Sequence, residues 1–150
     1  VDAPIRMSKM NRFIAIHDSG QILNPALARA QVHGGVAMGI GYALTEQMLF
    51  DPETGKMRND NLLDYKIPTA MDIPQIDVEF VETYEPSAPF GNKALGEPPM
   101  IPQAPAIRNA VLHATGVAVY ELPLTPERLI HAFIQAGLIQ PLSCEHIAET

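Results

Sequence analysis

The segment whose residues could most clearly carry out chemistry is Gly91–Pro99. It places a single carboxylate, Glu97, between Gly96 and a Pro98-Pro99 pair. Proline fixes its own φ at about −65° and pushes the preceding residue away from the helical region, so we expect Glu97 to be extended. A carboxylate held in one direction beside a bare glycine suits a site where a bulky group must come close to the main chain. The alternative is a solvated glutamate in a surface turn, because glycine and proline mark most loops.

A long glycine-rich segment is the second feature that could belong to a functional site. Asn24 is a favoured N-cap and Pro25 a favoured first residue, so we predict a helix from about Pro25 to Glu46. Four glycines lie inside it: Gly34, Gly35, Gly39 and Gly41. Each costs about 0.5–1 kcal/mol relative to alanine, so the cluster needs compensation. Small residues at helical spacing admit either a large ligand or a neighbouring backbone, and spacing does not decide between them.

Alternating apolar residues predict the strands that accompany this helix. Arg12 to His17 is apolar on both faces and is expected to be an interior strand, whereas Ile76 to Val81 has one wet face. Shorter extended segments are predicted at 47–50, 57, 63–68 and 117–122.

Capping signals predict two further helices. One runs from Pro105 to Thr115 and is stopped by Gly116; the other follows the N-cap Thr125 and ends near Ala136. The fold class is therefore α+β, with mixed strands packed against the long glycine-rich helix and two shorter C-terminal helices. Residues 1–140 are interpreted as one lobe and 141–150 as a tail.

Composition narrows the class of protein. The chain has 150 residues, 47% of them hydrophobic, and a net charge of −7, which disfavours a nucleic-acid partner. One cysteine, Cys144, excludes an internal disulfide and a multi-cysteine cluster, and weakly favours a reducing, cytoplasmic location. The sequence contains no apolar run of about 18 residues, so no membrane span is predicted. Because the sequence begins at Val1, we expect a processed chain or a piece of a larger protein.

Three ordered stretches together resemble a known family. They are Asp18–Pro25 continuing into Ala30–Gly41, then Leu63–Pro68, then Gly91–Pro99. The sequence resembles the C-terminal part of the molybdenum-cofactor-binding subunit of the xanthine dehydrogenase and aldehyde oxidase family, on the side of the bacterial xanthine dehydrogenases. The resemblance runs from about Arg12 to Phe133, and it favours a functional Glu97 over an idle surface glutamate.

The resemblance implies roles for individual residues. Glu97 would be the general base, taking a proton from a hydroxyl on molybdenum. Gln31 would contact the pterin cofactor, since an amide offers both a donor and an acceptor, although it could instead satisfy nearby backbone. Gly34, Gly35 and Gly96 would give the cofactor or a neighbouring backbone room. No residue of this chain is expected to bind the metal, which the pterin dithiolene holds.

Other polar residues are less decisive. Lys93 could be a cation near Glu97 or a surface lysine. The histidines have no metal-ligand spacing: His17, His33, His113, His131 and His146. His33 and Asn92 depart from residues common in the family, which leaves the substrate open.

The resemblance also implies an activity and its partners. We expect part of a xanthine dehydrogenase-like molybdenum hydroxylase that oxidises a purine or related N-heterocycle with oxygen from water. The molybdenum–pterin cofactor would be completed by the remainder of the molybdenum subunit, while iron–sulfur clusters and FAD would lie on other domains or subunits. A non-catalytic structural or interaction domain and an aldehyde-oxidising relative are the alternatives.

Overall fold

The computed structural model describes residues 10–140, so the expected tail and Cys144 lie outside the described residues. Two strands and three helices form its frame: β1 Arg12–His17, α1 Pro25–Leu44, β2 Gln75–Phe80, α2 Gln103–Thr115 and α3 Pro126–Gln135. Two single turns of 3-10 helix lie between β2 and α2, at Pro89–Gly91 and Pro98–Met100. The α+β class is confirmed.

The strands β1 and β2 pair in parallel, with Arg12 opposite Gln75 and His17 opposite Phe80. A parallel pair needs a crossover connection, and α1 lies in the chain between the two strands. Within the described part of the chain this two-stranded sheet has no further strand, so the expected mixture of strand directions is absent there.

The two faces of the sheet differ in burial. Ala15 and Val78 are buried in the core, whereas Ile14 and Ile16 are 57% and 65% exposed. The expectation of an interior strand at Arg12–His17 is therefore wrong for the described residues, because no second layer covers the Ile14 and Ile16 side.

Helix α1 is the centre of the core. The Asn24 side-chain oxygen accepts a hydrogen bond of 3.1 Å from the Leu27 amide, which confirms the predicted N-cap. One face of α1 is fully or almost fully buried: Val32, Val36, Ile40 and Ala43. These positions recur every three or four residues, as one face of a helix requires.

Helices α2 and α3 confirm their predicted caps. Gly116 ends α2 in the left-handed conformation, with φ of 72°, which glycine adopts without steric cost. The Thr125 hydroxyl accepts a hydrogen bond of 3.3 Å from the Arg128 amide and starts α3. Leu129 and Phe133 bury the inner face of α3 in the same core as α1.

Three predicted extended segments differ in the structure. Residues 117–122 are irregular, and Tyr120 lies under the Arg108 guanidinium, 4.8 Å from ring centroid to carbon. The start of 63–68 is a turn, closed by a 2.9 Å hydrogen bond from the Tyr65 amide to the Asn61 carbonyl. The predicted hairpin around residue 52 is reduced to one antiparallel bridge between Phe50 and Met57.

No helix within 10–140 has the length and apolar character needed to cross a membrane.

Candidate functional site

The Gln31 side chain joins helix α1 to the segment that carries Glu97. Its amide nitrogen donates a hydrogen bond of 2.6 Å to the Gly96 carbonyl, although the two residues are 65 positions apart. Gln31, Gly96 and Glu97 are all exposed. The fold thus brings the two predicted site segments together on one surface.

Glu97 is not extended, contrary to the sequence-based expectation. Its φ and ψ are −93° and −28°, in the right-handed helical region. Although a following proline disfavours this region, the Glu97 carbonyl accepts a 2.8 Å hydrogen bond from the Met100 amide and closes a 3-10 turn. The Glu97 side chain takes part in none of the ion pairs among the described residues.

The glycines of the predicted site fall into two groups. A Cβ added to Gly34 or Gly96 would meet no heavy atom within 4 Å, so both leave open backbone. A Cβ on Gly35 would lie 2.6 Å from the Pro99 Cβ, and one on Gly39 would lie 2.7 Å from the Gln103 Cβ. The space beside Gly35 is therefore occupied by Pro99 of the same chain.

Lys93 is bound to Asp18. Its ammonium lies 2.7 Å from the Asp18 carboxylate, which also accepts hydrogen bonds from the Thr83 hydroxyl and the Gly20 amide. The Lys93 hydrogen bond is the largest cause of a lowered Asp18 pKa, about 2 instead of 3.8, followed by those from Thr83 and Gly20. Lys93 is thus a structural cation that ties the Glu97 segment to the end of β1.

Backbone hydrogen bonds reinforce this connection. The Lys93 amide donates to the Ser19 carbonyl at 2.8 Å, and the Gln21 amide donates to the Gly91 carbonyl at 3.0 Å. Gly20 has a φ of 65°, and a Cβ there would collide with the Gly91 carbonyl oxygen. A glycine is required at this turn on both grounds.

Sequence reasoning missed Gln103. Its side chain is fully buried, its amide nitrogen donates to the Pro99 carbonyl, and its side-chain oxygen has no partner among the described residues. A lone glutamine between Pro102 and Ala104, at the start of an apolar helix face, was the available signal.

Tyr65 of the 63–68 stretch lies at the other end of α1. Its hydroxyl donates a 2.8 Å hydrogen bond to the Glu46 carboxylate, which raises the Tyr65 pKa above 10.0. This contact packs the 63–68 stretch against the C-terminal end of α1, where a Cβ on Gly41 would lie 2.7 Å from Pro68.

Comparisons with known proteins identify the family of this chain. The family model of the molybdopterin cofactor-binding domain matches residues 1–74. The chain is 58% identical over 139 residues to the xanthine dehydrogenase molybdenum-binding subunit of Escherichia coli O157:H7, covering 93% of this chain and 18% of that subunit. The chain belongs to the xanthine dehydrogenase and aldehyde oxidase family of molybdenum-binding subunits.

Two further proteins are similar to this chain in sequence or structure. The aldehyde oxidoreductase molybdenum-binding subunit PaoC of Escherichia coli K12 is 37% identical over 123 residues, covering 81% of this chain and 17% of that subunit. The crystal structure of quinoline 2-oxidoreductase from Pseudomonas putida 86 superimposes with a TM-score of 0.76 at 35% identity, covering 83% of this chain and 16% of that chain. The chain spans less than a fifth of the length of these relatives.

The exposed residues offer hydrogen-bonding groups and bare backbone on one surface. Gln31 uses one amide hydrogen on Gly96, which leaves a second hydrogen and the side-chain oxygen as donor and acceptor. Gly34 lies one turn along the same face of α1 and, like Gly96, exposes bare backbone. Within residues 10–140 no three His, Cys, Asp or Glu side chains converge on a metal site. We call Gln31, Gly34, Gly96 and Glu97 the α1–loop face.

Proposed function

We propose that this chain forms part of a molybdenum hydroxylase that oxidises a purine or related N-heterocycle, with Glu97 as the general base. The observation that carries the proposal is the 2.6 Å hydrogen bond from Gln31 to the Gly96 carbonyl. This bond joins the Gln31 amide to the residue that precedes the exposed Glu97, and the family relationship supports both assignments.

The α1–loop face would hold one edge of the molybdopterin cofactor. The free hydrogen and oxygen of the Gln31 amide would pair with a polar edge of the pterin, and Gly34 and Gly96 would let it approach the backbone. Gly35 would act indirectly, by letting Pro99 pack against α1. When bound, the cofactor would supply the metal centre that removes electrons from the substrate carbon and introduces oxygen derived from water.

Glu97 would remove a proton as the oxygen atom adds to the substrate. Its side chain is exposed and its backbone is fixed by the turn that starts at Pro98, so the carboxylate is accessible from a defined position. A positioned general base contributes about 10²–10⁴ in rate. The Lys93 ammonium is engaged by Asp18, which leaves the Glu97 carboxylate free to accept a proton.

The remainder of the site would come from the rest of the molybdenum subunit. The α1–loop face is open to solvent, and the chain spans 18% of its Escherichia coli relative. The walls that exclude water and select the substrate would therefore lie on other parts of the subunit. Iron–sulfur and flavin domains or subunits would take the electrons onward.

The identities to the relatives support the proposed substrate class. Identity is 58% to a xanthine dehydrogenase subunit and 37% to an aldehyde oxidoreductase subunit. A purine or N-heterocycle is therefore favoured over an aldehyde. A substrate panel of purines, N-heterocycles and aldehydes, assayed with the full-length enzyme, measures this preference as relative kcat/KM.

The Glu97→Gln variant of the full-length enzyme tests the base. We expect turnover to fall by about 10²–10⁴ while the molybdenum and pterin contents stay near those of the wild type, because the amide keeps the shape but cannot accept the proton. Glu82→Gln is the matched control, since Glu82 is an exposed glutamate of the same loop region. Substantial turnover by Glu97→Gln would refute the base assignment, and a wild-type enzyme without molybdenum and pterin would favour a non-catalytic domain.

A further inference from the structure

The segment around Glu97 lacks the groups that usually hold a loop in place. Pro98 and Pro99 carry no amide hydrogen, so neither can donate a backbone hydrogen bond. The backbone of these two residues can therefore form hydrogen bonds only through its carbonyl oxygens. Where the carbonyls of Gly96, Glu97, Pro98 and Pro99 find donors bears on how firmly Glu97 is held.

Each of the four consecutive carbonyls does find a donor. The Glu97 carbonyl accepts from the Met100 amide at 2.8 Å and the Pro98 carbonyl from the Ile101 amide at 3.4 Å, both within the local turn. The two outer carbonyls, of Gly96 and Pro99, accept from side chains elsewhere: Gln31 of α1 and Gln103 of α2. Within residues 10–140, these two glutamines alone tie the turn to the helices through hydrogen bonds of their side chains.

The buried position of Gln103 is energetically unfavourable for an amide side chain. Its side chain is fully buried, and its side-chain oxygen has no hydrogen-bond partner within residues 10–140. Burying an amide with an unpaired oxygen is unfavourable, and an apolar residue of similar size would avoid that cost. The benefit of an amide here is its donor, which binds the carbonyl of the buried Pro99.

Two glycines of α1 shape this contact. Gly39 leaves room for Gln103, whose Cβ and Cγ would both lie 2.7 Å from an added Cβ. Gly35, one turn earlier, leaves room for Pro99 in the same way. The spacing of four places both glycines on one side of α1, so Pro99 and Gln103 can pack close to the helix backbone.

We infer that Gln103 is a positioning residue for Glu97: by binding the Pro99 carbonyl from within the core, it sets the direction in which the turn presents the carboxylate. This inference rests on the proposed function, because it assumes that Glu97 removes a proton during turnover. Gln103 itself is fully buried, so it would act on Glu97 through the turn.

The Gln103→Met variant of the full-length enzyme tests the inference, since methionine keeps the volume and removes the donor. A displaced base loses reaction geometry and not substrate affinity. We therefore expect kcat to fall by about tenfold to a hundredfold, with the KM and the molybdenum content unchanged. The solvent deuterium isotope effect on kcat should rise because proton transfer becomes slower. Hydrogen exchange at the Met100 and Ile101 amides should accelerate in the same protein.

Two further variants separate positioning from general stability. Gln103→Glu can keep one donor, because burial favours its neutral acid form, and it should recover most of the lost kcat. Gln135→Met makes the same substitution at an exposed residue of α3 and should leave kcat unchanged. If Gln103→Met does not yield folded enzyme, Gly39→Ala decides, because its Cβ displaces Gln103 without removing the amide.

The possible outcomes are distinct. A Gln103→Met enzyme with wild-type kcat and isotope effect overturns the inference, whatever Glu97 does. A fall in kcat that is matched by loss of molybdenum, or that Gln103→Glu does not relieve, also overturns it. If Glu97→Gln keeps full turnover, the proposed general-base role of Glu97 fails, whatever the Gln103 variants show.

Discussion

The Lys93 ammonium lies 2.7 Å from the Asp18 carboxylate, across 75 residues of sequence. Asp18 follows β1 directly, and it also binds Thr83, which follows β2. One carboxylate thus joins the ends of both parallel strands to the loop that carries Glu97. The sheet and this loop are consequently held in one fixed arrangement.

Removing the Lys93 charge should change how stability depends on pH. The Asp18 pKa is about 2 in the folded protein and 3.8 as its ordinary value. A lowered carboxyl pKa stabilises the fold above about pH 4, and this contribution is lost as the pH falls toward 2. We expect Lys93→Met to lower the Tm of the full-length enzyme near neutral pH and to approach the wild type below about pH 4. Thermal melts from neutral pH down to about pH 2 measure the convergence.

Arg58→Met provides the control for that prediction. Arg58 pairs with Asp51, whose pKa is also about 2, but this pair lies in the turn after α1, away from the Glu97 loop. Its melts should converge with those of the wild type in the same pH range, whereas only Lys93→Met should lower kcat. A constant Tm difference at every pH would contradict the role of the ion pair.

Substitutions at the two adjacent glycines of α1 should have opposite effects on stability. Gly35→Ala forces a Cβ against Pro99, and overpacking of this kind costs about 1–3 kcal/mol. Gly34→Ala meets open space and gains about 0.5–1 kcal/mol of helix propensity. Chemical denaturation of the cofactor-free subunit measures both changes.

The same pair distinguishes packing from cofactor binding. If the pterin rests on Gly34, Gly34→Ala should raise the stability of the cofactor-free subunit yet lower its pterin content. Unchanged pterin content in Gly34→Ala would remove Gly34 from the proposed cofactor surface and leave the prediction for Gly35 intact.

Gln31 is expected to serve both the loop and the cofactor. Gln31→Met removes the donor to the Gly96 carbonyl together with the free donor and acceptor of the amide. We expect kcat to fall by about tenfold or more, equivalent to about 1.4 kcal/mol, and the pterin content to fall with it. Metal analysis and pterin release measure this loss. Full pterin content with reduced kcat would assign Gln31 to the loop alone.

Local signals were sufficient for the helices. Asn24 and Thr125 start α1 and α3 through their own side chains, and Gly116 ends α2 through its left-handed backbone. Each depends on residues a few positions away. The predicted strand at 117–122 was wrong because alternation alone does not supply a partner strand. Instead, the Val119 carbonyl accepts from the Arg108 side chain.

The site was predictable in its residue types but not in its connections. The Gly91–Pro99 stretch and Gln31 stood out by composition, and the family resemblance related them. The partners of Lys93 and Gly96 are 75 and 65 residues away, and nothing local identifies them. The backbone of Glu97 was wrongly expected to be extended, because the preference set by Pro98 was outweighed by the turn that Met100 closes.

The parallel pairing of β1 and β2 also constrains when the Glu97 turn can form. Asp18 and Gln31 leave the ribosome before the groups they bind, at Lys93 and Gly96, because the rest of the crossover and β2 lie between them in the chain. Gln103 comes later still. Contacts between distant residues form only after the intervening chain is available. A nascent chain that ends before Gln103 therefore contains Glu97 but not the complete set of hydrogen bonds that holds its turn.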